Sequence, residues 1–541
     1  MRPWLALLLF AGMAAAQDQT ASVSGTVVGT NGVPLRKATV ILQPIVGPRP
    51  AGNASAAFSA TSDGSGRFSI AGIPAGGYAL SADHVGYLRA SYGARDSGTG
   101  AILNLAPGDD MHDLKIQMVE QSVITGRVTD EDGDPVRNVQ VRLLRRTFTN
   151  GVRQLTPAAV AQVNDIGEFR LSGITAGQYY LAAEPAPRAP AAQARKPAGP
   201  GAPPEQESIL TYYPSVTDAA SAVFLRLRAG EALAGITIRL AKGSSFHVSG
   251  MVTGLEGNPG QYRVSMAPPG PTAIAGQQTR NATVDRSGHF DIPGVTPGSW
   301  SIWVTHLGPG NLIMANRLIQ VTGQDVEDLN LEAVPPAKIH GTVRIDSAGP
   351  ASDVSTLKLS IGLSLQSAPI ALQNAALQDG EFTLTTAGAG QYRVNVMGIP
   401  QDFYLKSVTM GGRNVLDIGF EVGEGGSAGE MEVVLGSPAA EIFGVLMGPD
   451  GNNVPGAIVT IVPDPLNPDR QDLYRRANTD QIGRFSFRGL APGKYRVYGW
   501  DQLDPGEEFD PDMLNAHEDK AVAVTVSEGD RTIVTLPESV P

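Results

Sequence analysis

Apolar and polar residues alternate along this chain in short runs, and the runs are broken by Gly, Pro, Asn and Asp. Ala21-Ser-Val23-Ser-Gly25-Thr-Val27 leads to a turn at Asn31-Gly32-Val-Pro34 and then to Ala38-Thr-Val40-Ile-Leu42. A period of two bounded by turn residues predicts strands with one buried face. The same order returns as Ile124-Thr-Gly126-Arg-Val128, Glu131-Asp-Gly133-Asp-Pro135 and Val139-Gln-Val141-Arg-Leu143, and again from Ile442 to Ile461.

The most sharply repeated stretch is Asp480-Gln-Ile-Gly483-Arg-Phe485-Ser-Phe487-Arg-Gly489-Leu490-Ala-Pro492-Gly493-Lys-Tyr495. It predicts a tight turn, a strand with Phe485 and Phe487 inward, a second turn at Pro492-Gly493 and a strand opening on Tyr495, together a β-hairpin. Four further copies are centred on Phe68, Phe169, Phe290 and Phe382. In each copy a Gly stands two residues before the Phe, and Tyr78, Tyr179, Trp300, Tyr392 or Tyr495 stands ten residues after it. The Phe positions are 101, 121, 92 and 103 residues apart, which sets the size of the repeating unit.

Each unit closes with two more apolar-alternating segments, such as Ala101-Ile-Leu103-Asn-Leu105 with Leu114-Lys-Ile116-Gln-Met118. About six or seven strands per unit is the number of an antiparallel sandwich. The expected organisation is all-β: five tandem Greek-key sandwiches over residues 21–120, 121–243, 244–335, 336–437 and 438–541. Junctions as short as Val334-Pro335-Pro336-Ala337 predict an elongated array. The Pro/Ala-rich stretch 184–208 reads as a disordered loop of repeat two. Repeat four is diverged, and its insert from Asp402 to Asp417 predicts an extra strand and a Gly turn.

Composition adds an address. Residues 1–16 carry one Arg, an apolar run and a small-x-small ending, which predicts a signal peptide cleaved near Ala16 and a secreted or periplasmic product. The chain of 541 residues has no Cys, so neither disulfides nor cysteine lipidation are available to it. A net charge of −12 without a Lys/Arg block argues against nucleic acid, and no later segment reads as transmembrane.

The pattern Gly-x-Val, Gly-x-Pro, alternating Ala-x-Val-x-Leu, Asp-x-x-Gly-x-Phe and Pro-Gly-x-Tyr resembles the carboxypeptidase regulatory-like domain, most closely between Gly444 and Tyr495. That family is a transthyretin-like, prealbumin-type sandwich with an Ig-like fold, similar to B-type repeats of bacterial surface proteins. The resemblance implies a seven-stranded Greek key that accompanies other domains without doing chemistry itself. Lys37, Lys115, Lys338 and Lys494 occupy different places in their repeats, which speaks against the internal Lys crosslinks of the B-type repeats.

Candidate chemistry is sparse. The seven His residues lack paired spacing, and no His-Glu-x-x-His, Gly-x-Ser-x-Gly or Gly-x-x-x-x-Gly-Lys pattern occurs, so catalytic residues and cofactors are expected to be none. Asp130, Asp132 and Asp134 place oxygens at alternating positions and are a candidate for calcium beside the plain turn reading. The acidic cluster from Asp501 to Asp512 is a second, weaker calcium candidate beside its reading as a solvated loop. Tyr212, Tyr213, Tyr404 and Trp500, in or beside the loops after the repeated aromatic, are candidates for stacking on sugar, beside the reading that they cap their own cores. The partner expected is an envelope or extracellular protein, reached through a scaffold, spacer or adhesion role, with a polysaccharide-binding array as the alternative.

Overall fold

A computed structural model describes residues 20–45, 57–94, 100–149, 152–185, 205–269, 279–308, 312–347, 353–366, 372, 374–423, 429–504, 506–537 and 540. The proposed signal peptide and residues 186–204 of the Pro/Ala-rich stretch lie outside them. The chain divides into two compact units, Met1–Val119 and Glu120–Pro541. Among the described residues no helix is long and apolar enough to cross a membrane.

The first unit shows the plan. Its strands are β1 (Ala21–Gly29), β2 (Thr39–Pro44), β3 (Phe58–Thr61), β4 (Arg67–Ile73), β5 (Gly76–Asp83), β6 (Ala90–Ser91), β7 (Ile102–Leu105) and β8 (Asp110–Met118). One sheet is ordered β4-β1-β8, and the facing sheet β3-β2-β5-β6 with β7 also on β5. Alternate residues enter one core, among them Val23, Val27, Val40, Leu42, Phe68, Tyr78, Leu103 and Ile116.

Two expectations are corrected here. The repeated Phe-to-Tyr stretch is not a hairpin: β4 pairs with β1 while β5 pairs with β2 and β7, so the turn between them crosses from one sheet to the other. The sheets are not purely antiparallel either, because β1 and β8 run parallel, Val27 opposite Ile116. The same arrangement recurs at Ser122–Thr129 with Ala232–Arg239, Lys242–Thr253 with Val326–Glu332, Lys338–Ser347 with Met431–Ser437, and Ala440–Leu446 with Arg531–Leu536.

Three residue positions explain the repeated pattern. The leading Asp is a turn cap: Oδ1 of Asp63 accepts from the backbone N–H of Ser65 and of Arg67, both at 2.8 Å. Asn164, Asp285 and Asp480 accept from the same two positions at 2.7–3.1 Å. The aromatic ten residues after the Phe ties down the crossing turn. Its polar atom donates to the carbonyl four residues earlier in all five copies: Tyr78 to Pro74 (2.8 Å), Tyr179 to Thr175 (3.0 Å), Trp300 to Thr296 (3.0 Å), Tyr392 to Gly388 (2.7 Å) and Tyr495 to Ala491 (2.8 Å). The Gly of the first strand makes room for the backbone of the parallel closing strand at Gly25, Gly126, Gly250 and Gly444, and in three copies for the Phe as well. At Gly126, Gly341 and Gly444 a Cβ would collide with the rings of Phe169, Phe382 and Phe485.

Repeat four departs from this plan in a way its residues explain. The other repeats carry a left-handed Gly at 72, 173, 294 or 489, with φ of 70–76°, and beside it the strand pairing slips by one residue. Repeat four has Thr386 there and its pairing runs without a slip. Its first turn is the two-residue Asp379-Gly380, with φ of 51° and 83°, the conformation of a tight hairpin turn. The insert forms a strand, Tyr404–Met410, that extends the sheet by pairing with Met431–Ser437 and turns at Gly411-Gly412.

Buried apolar residues of the second unit gather in four main clusters, within 124–240, 246–333, 339–435 (with Ile313 added) and 440–536. Part of the stretch read as disordered is ordered: Glu205–Ser208 is a strand, antiparallel to Lys242–Ser245. A segment from within repeat two, ahead of its last three strands, thus adds to the first strand of repeat three. Repeats two and five, the two ends of this unit, touch through Arg145 and Asp504 at 2.9 Å. An elongated row is therefore not how repeats two to five are arranged.

Candidate functional site

The copies differ most in the loops that follow the corner aromatic, so these loops are where a local function would sit. In repeat two the backbone from Leu210 to Ala222 folds onto the outer face of the larger sheet. There Tyr212 packs with Leu144 and Ala182, flanked by Leu155, Tyr180 and Val216. Burial pushes the Tyr212 phenol up, helped by the charges of Glu184 and Asp218. Tyr213 is half-buried against the main core of its own repeat.

Repeat five uses its loop in the same way. Ile458–Pro463 is buried along its whole length because both faces of its sheet are covered. Trp500 is 2% exposed, and its indole N–H donates to Thr460 Oγ1 at 2.8 Å. Tyr498 stacks on it at 5.3 Å, and Tyr474, Leu503, Leu514 and Val540 complete this second core. The acidic cluster is corrected from a solvated loop to a lid. Asp510 caps α1 (Pro511–Ala516), accepting from Asp512 N–H at 3.0 Å, and α1 places Leu514 over the aromatic pair.

Tyr404 lies in the extra strand of repeat four, 6% exposed, and its hydroxyl donates to Glu528 of repeat five at 3.1 Å. Gly436 is its required neighbour, because a Cβ there would enter the Tyr404 ring. Of the four aromatics expected as a sugar platform, Tyr212, Tyr404 and Trp500 are corrected to buried packing residues whose faces are covered by protein, and Tyr213 is half-buried.

Asp130, Asp132 and Asp134 form a turn. Asp130 Oδ1 accepts from the N–H of Asp132 at 3.0 Å and of Asp134 at 2.9 Å, and their neighbour Glu131 pairs with Lys242 at 3.0 Å. The hydrogen bond that Lys242 donates to Glu131 raises the Lys242 pKa, with the charges of Glu131, Asp132 and Asp130 adding to it. Among the described residues no three His, Cys, Asp or Glu side chains gather so as to hold a metal. An open cavity of about 750 Å3 lies on repeat four, lined by His340, Thr383, Glu381 and Glu430, with His340 Nδ1 3.2 Å from Thr383 Oγ1.

What sequence reasoning missed is the set of joints between repeats. Trp303 faces outward from repeat three and, with Ile313, packs against the core of repeat four. Asn316 Nδ2 donates to the carbonyls of Ala387 and of Ala389, the latter at 3.2 Å. Between repeats four and five, Arg470 holds Asp472 with two nitrogens at 2.7 and 2.9 Å and Asp417 at 3.0 Å, while Arg393 pairs with Asp469 at 2.9 Å. Burial alone would lower the Arg470 pKa, but hydrogen bonds and charge from Asp472 and Asp417 reverse the shift and raise it. For the joints no signal stands in the sequence, whereas the covered outer face inside repeat five was legible: Ile458-Val-Thr-Ile-Val462 is mainly apolar on both faces, as a doubly covered strand must be.

A sandwich crossed by capped turns and tied by an aromatic corner has a family counterpart. Residues 22–113 match the carboxypeptidase regulatory-like domain. The match lies within the first unit, and the second unit repeats that unit's strand order, its Phe-to-aromatic spacing and its parallel closing strand. No curated protein matches the chain. Among solved structures it is similar to the Bacillus anthracis TIE protein, 11% identical over 93% of this chain and 75% of that one, with a TM-score of 0.17. It is also similar to a streptococcal ancillary pilin, 11% identical over 58% and 99%, TM-score 0.20. A third is the full-length major pilin RrgB from Streptococcus pneumoniae, 11% identical over 97% and 100%, TM-score 0.17.

Proposed function

We propose that the chain is an exported, non-enzymatic scaffold or spacer of the cell envelope or extracellular space, built of five carboxypeptidase regulatory-like modules with the boundaries derived from the repeats. The observation that carries this reading is that side chains which differ from repeat to repeat are spent on contacts within the protein. Tyr404, Trp303, Arg470 and Arg393 are spent on neighbouring repeats, and Tyr212 and Trp500 on second cores of their own. Side chains committed in this way position modules; they do not bind a small molecule. The partner is then another envelope or extracellular protein, met through module surfaces.

The test is to express the chain from Met1 with a C-terminal tag in a bacterial host and fractionate the cells. Recovery outside the cytoplasm with Gln17 as the first residue, and silence on a polysaccharide array, is the expected result. Cytoplasmic retention would overturn the export, and polysaccharide binding that survives Tyr212→Ala with Tyr404→Ala would favour a sugar-binding array using other residues.

A further inference from the structure

Repeats two and five each carry one elaboration that the other repeats lack. In repeat two the second strand is Val139–Thr149, 11 residues, where its counterparts Thr39–Pro44, Tyr262–Ala267, Ser360–Leu365 and Ile458–Pro463 have 6. With Val152–Gln162 it forms a long hairpin, Thr149 opposite Val152, that runs past the end of the sandwich. In repeat five the elaboration is the loop from Asp501 onward, with a short helical turn at Glu507–Phe509. These two elaborations meet each other.

The contact is prepared from both sides. Arg145 is fixed within repeat two by Thr175 Oγ1 at 2.8 Å, by the hydroxyl of the corner Tyr179 at 2.7 Å, and by lying 5.2 Å from the centre of that ring. Its other terminal nitrogen, Nη1, reaches Asp504 Oδ1 at 2.9 Å. Next to it Gly506 lies so close to the Phe148 carbonyl that any Cβ would collide, and its φ of 91° suits glycine. Glu507 folds back to accept from Asp504 N–H at 2.8 Å, which holds the loop in the shape that presents Asp504.

We propose that this hairpin is a clasp that closes repeats two to five into a circuit: two to three through Glu205–Ser208, three to four through Trp303, four to five through Arg470, and five back to two through Arg145. Chain connectivity supports the first three joints; the fourth joins residues 359 positions apart and has no linker to keep it. Its central ion pair is partly open to water, Arg145 being 21% and Asp504 47% exposed, so salt weakens it where the apolar joint at Trp303 stays unaffected. The clasp gives the scaffold proposed above two lengths, and it can be measured whether or not that proposal holds.

Because the chain has no Cys, spin labels on Val160→Cys and Asn515→Cys report the distance between repeats two and five in the full-length protein. The expected result is one narrow distribution in low salt that broadens to longer distances in about 1 M NaCl. Arg145→Ala and, independently, Asp504→Asn should broaden it already in low salt. Asp504→Asn leaves repeat two untouched and guards against a folding defect there. A narrow distance unchanged by both single variants, or a broad one in the parent protein, would overturn the clasp.

Discussion

A few side chains, each engaged by the polar groups of its own turn, decide the module. The corner aromatic is the clearest, since it fills the core and also binds the carbonyl four residues back. The corner phenols of Tyr392 and Tyr495, and that of Tyr474 in the second core of repeat five, have their pKa pushed up to about 12, burial being the main cause. An unfolded phenol titrates near 10, so the unfolded chain loses its protons first as pH rises. The stability these rings share is complete below about pH 10 and is lost between about pH 10 and 12. Urea midpoints should fall across that window, and Tyr495→Phe should flatten the fall for repeat five while costing about 1 kcal/mol at neutral pH. The Gly that faces the Phe is as demanding. Gly444→Ala sets a methyl group against the Phe485 ring and should cost about 1–3 kcal/mol, and Phe485→Ala, which empties the site, about 3–5 kcal/mol, both read from denaturant unfolding.

At the level of elements, strands and their order were legible from period-two alternation and turn residues, down to the extra strand Tyr404–Met410. Which strands pair was not. Asp-x-x-Gly and Pro-Gly reverse a chain equally well within one sheet and between two, so the residues around Phe485 read as a hairpin when they are a crossing. The turn caps give a test at this scale. Asp480→Ala leaves the N–H groups of Ile482 and Arg484 without their acceptor and should destabilise repeat five by about 1–2 kcal/mol in urea titrations. Asp379→Asn in repeat four, which keeps the left-handed turn that closes through Gln378 and Glu381 backbone bonds, should cost less. The covered outer faces were half legible: the doubly apolar Ile458–Val462 announces a lid, whereas Tyr212 and Trp500 looked the same as exposed aromatics would.

For the second unit as a whole, the joints outweigh the linkers. Short junctions suggested beads in a row, because sequence shows how far neighbours are tethered and not which distant side chains meet. Arg470 is the charge centre of one joint, 13% exposed, between Asp472 and the more open Asp417. Removing it leaves Asp472 partly buried and unpaired, so Arg470→Ala should lower stability by about 1–3 kcal/mol, discounted for the exposure of Asp417. The loss should appear in the unfolding of repeats four and five together by calorimetry.

The central claim is that the variable loops are packing elements. Amide hydrogen exchange on the full-length protein tests it most directly, at 209–216, 404–410 and 510–521. The account predicts amides there exchanging about a hundredfold or more slower than in an unstructured peptide, approaching the core strands beneath them. Exchange at the free-peptide rate in these three segments would contradict it.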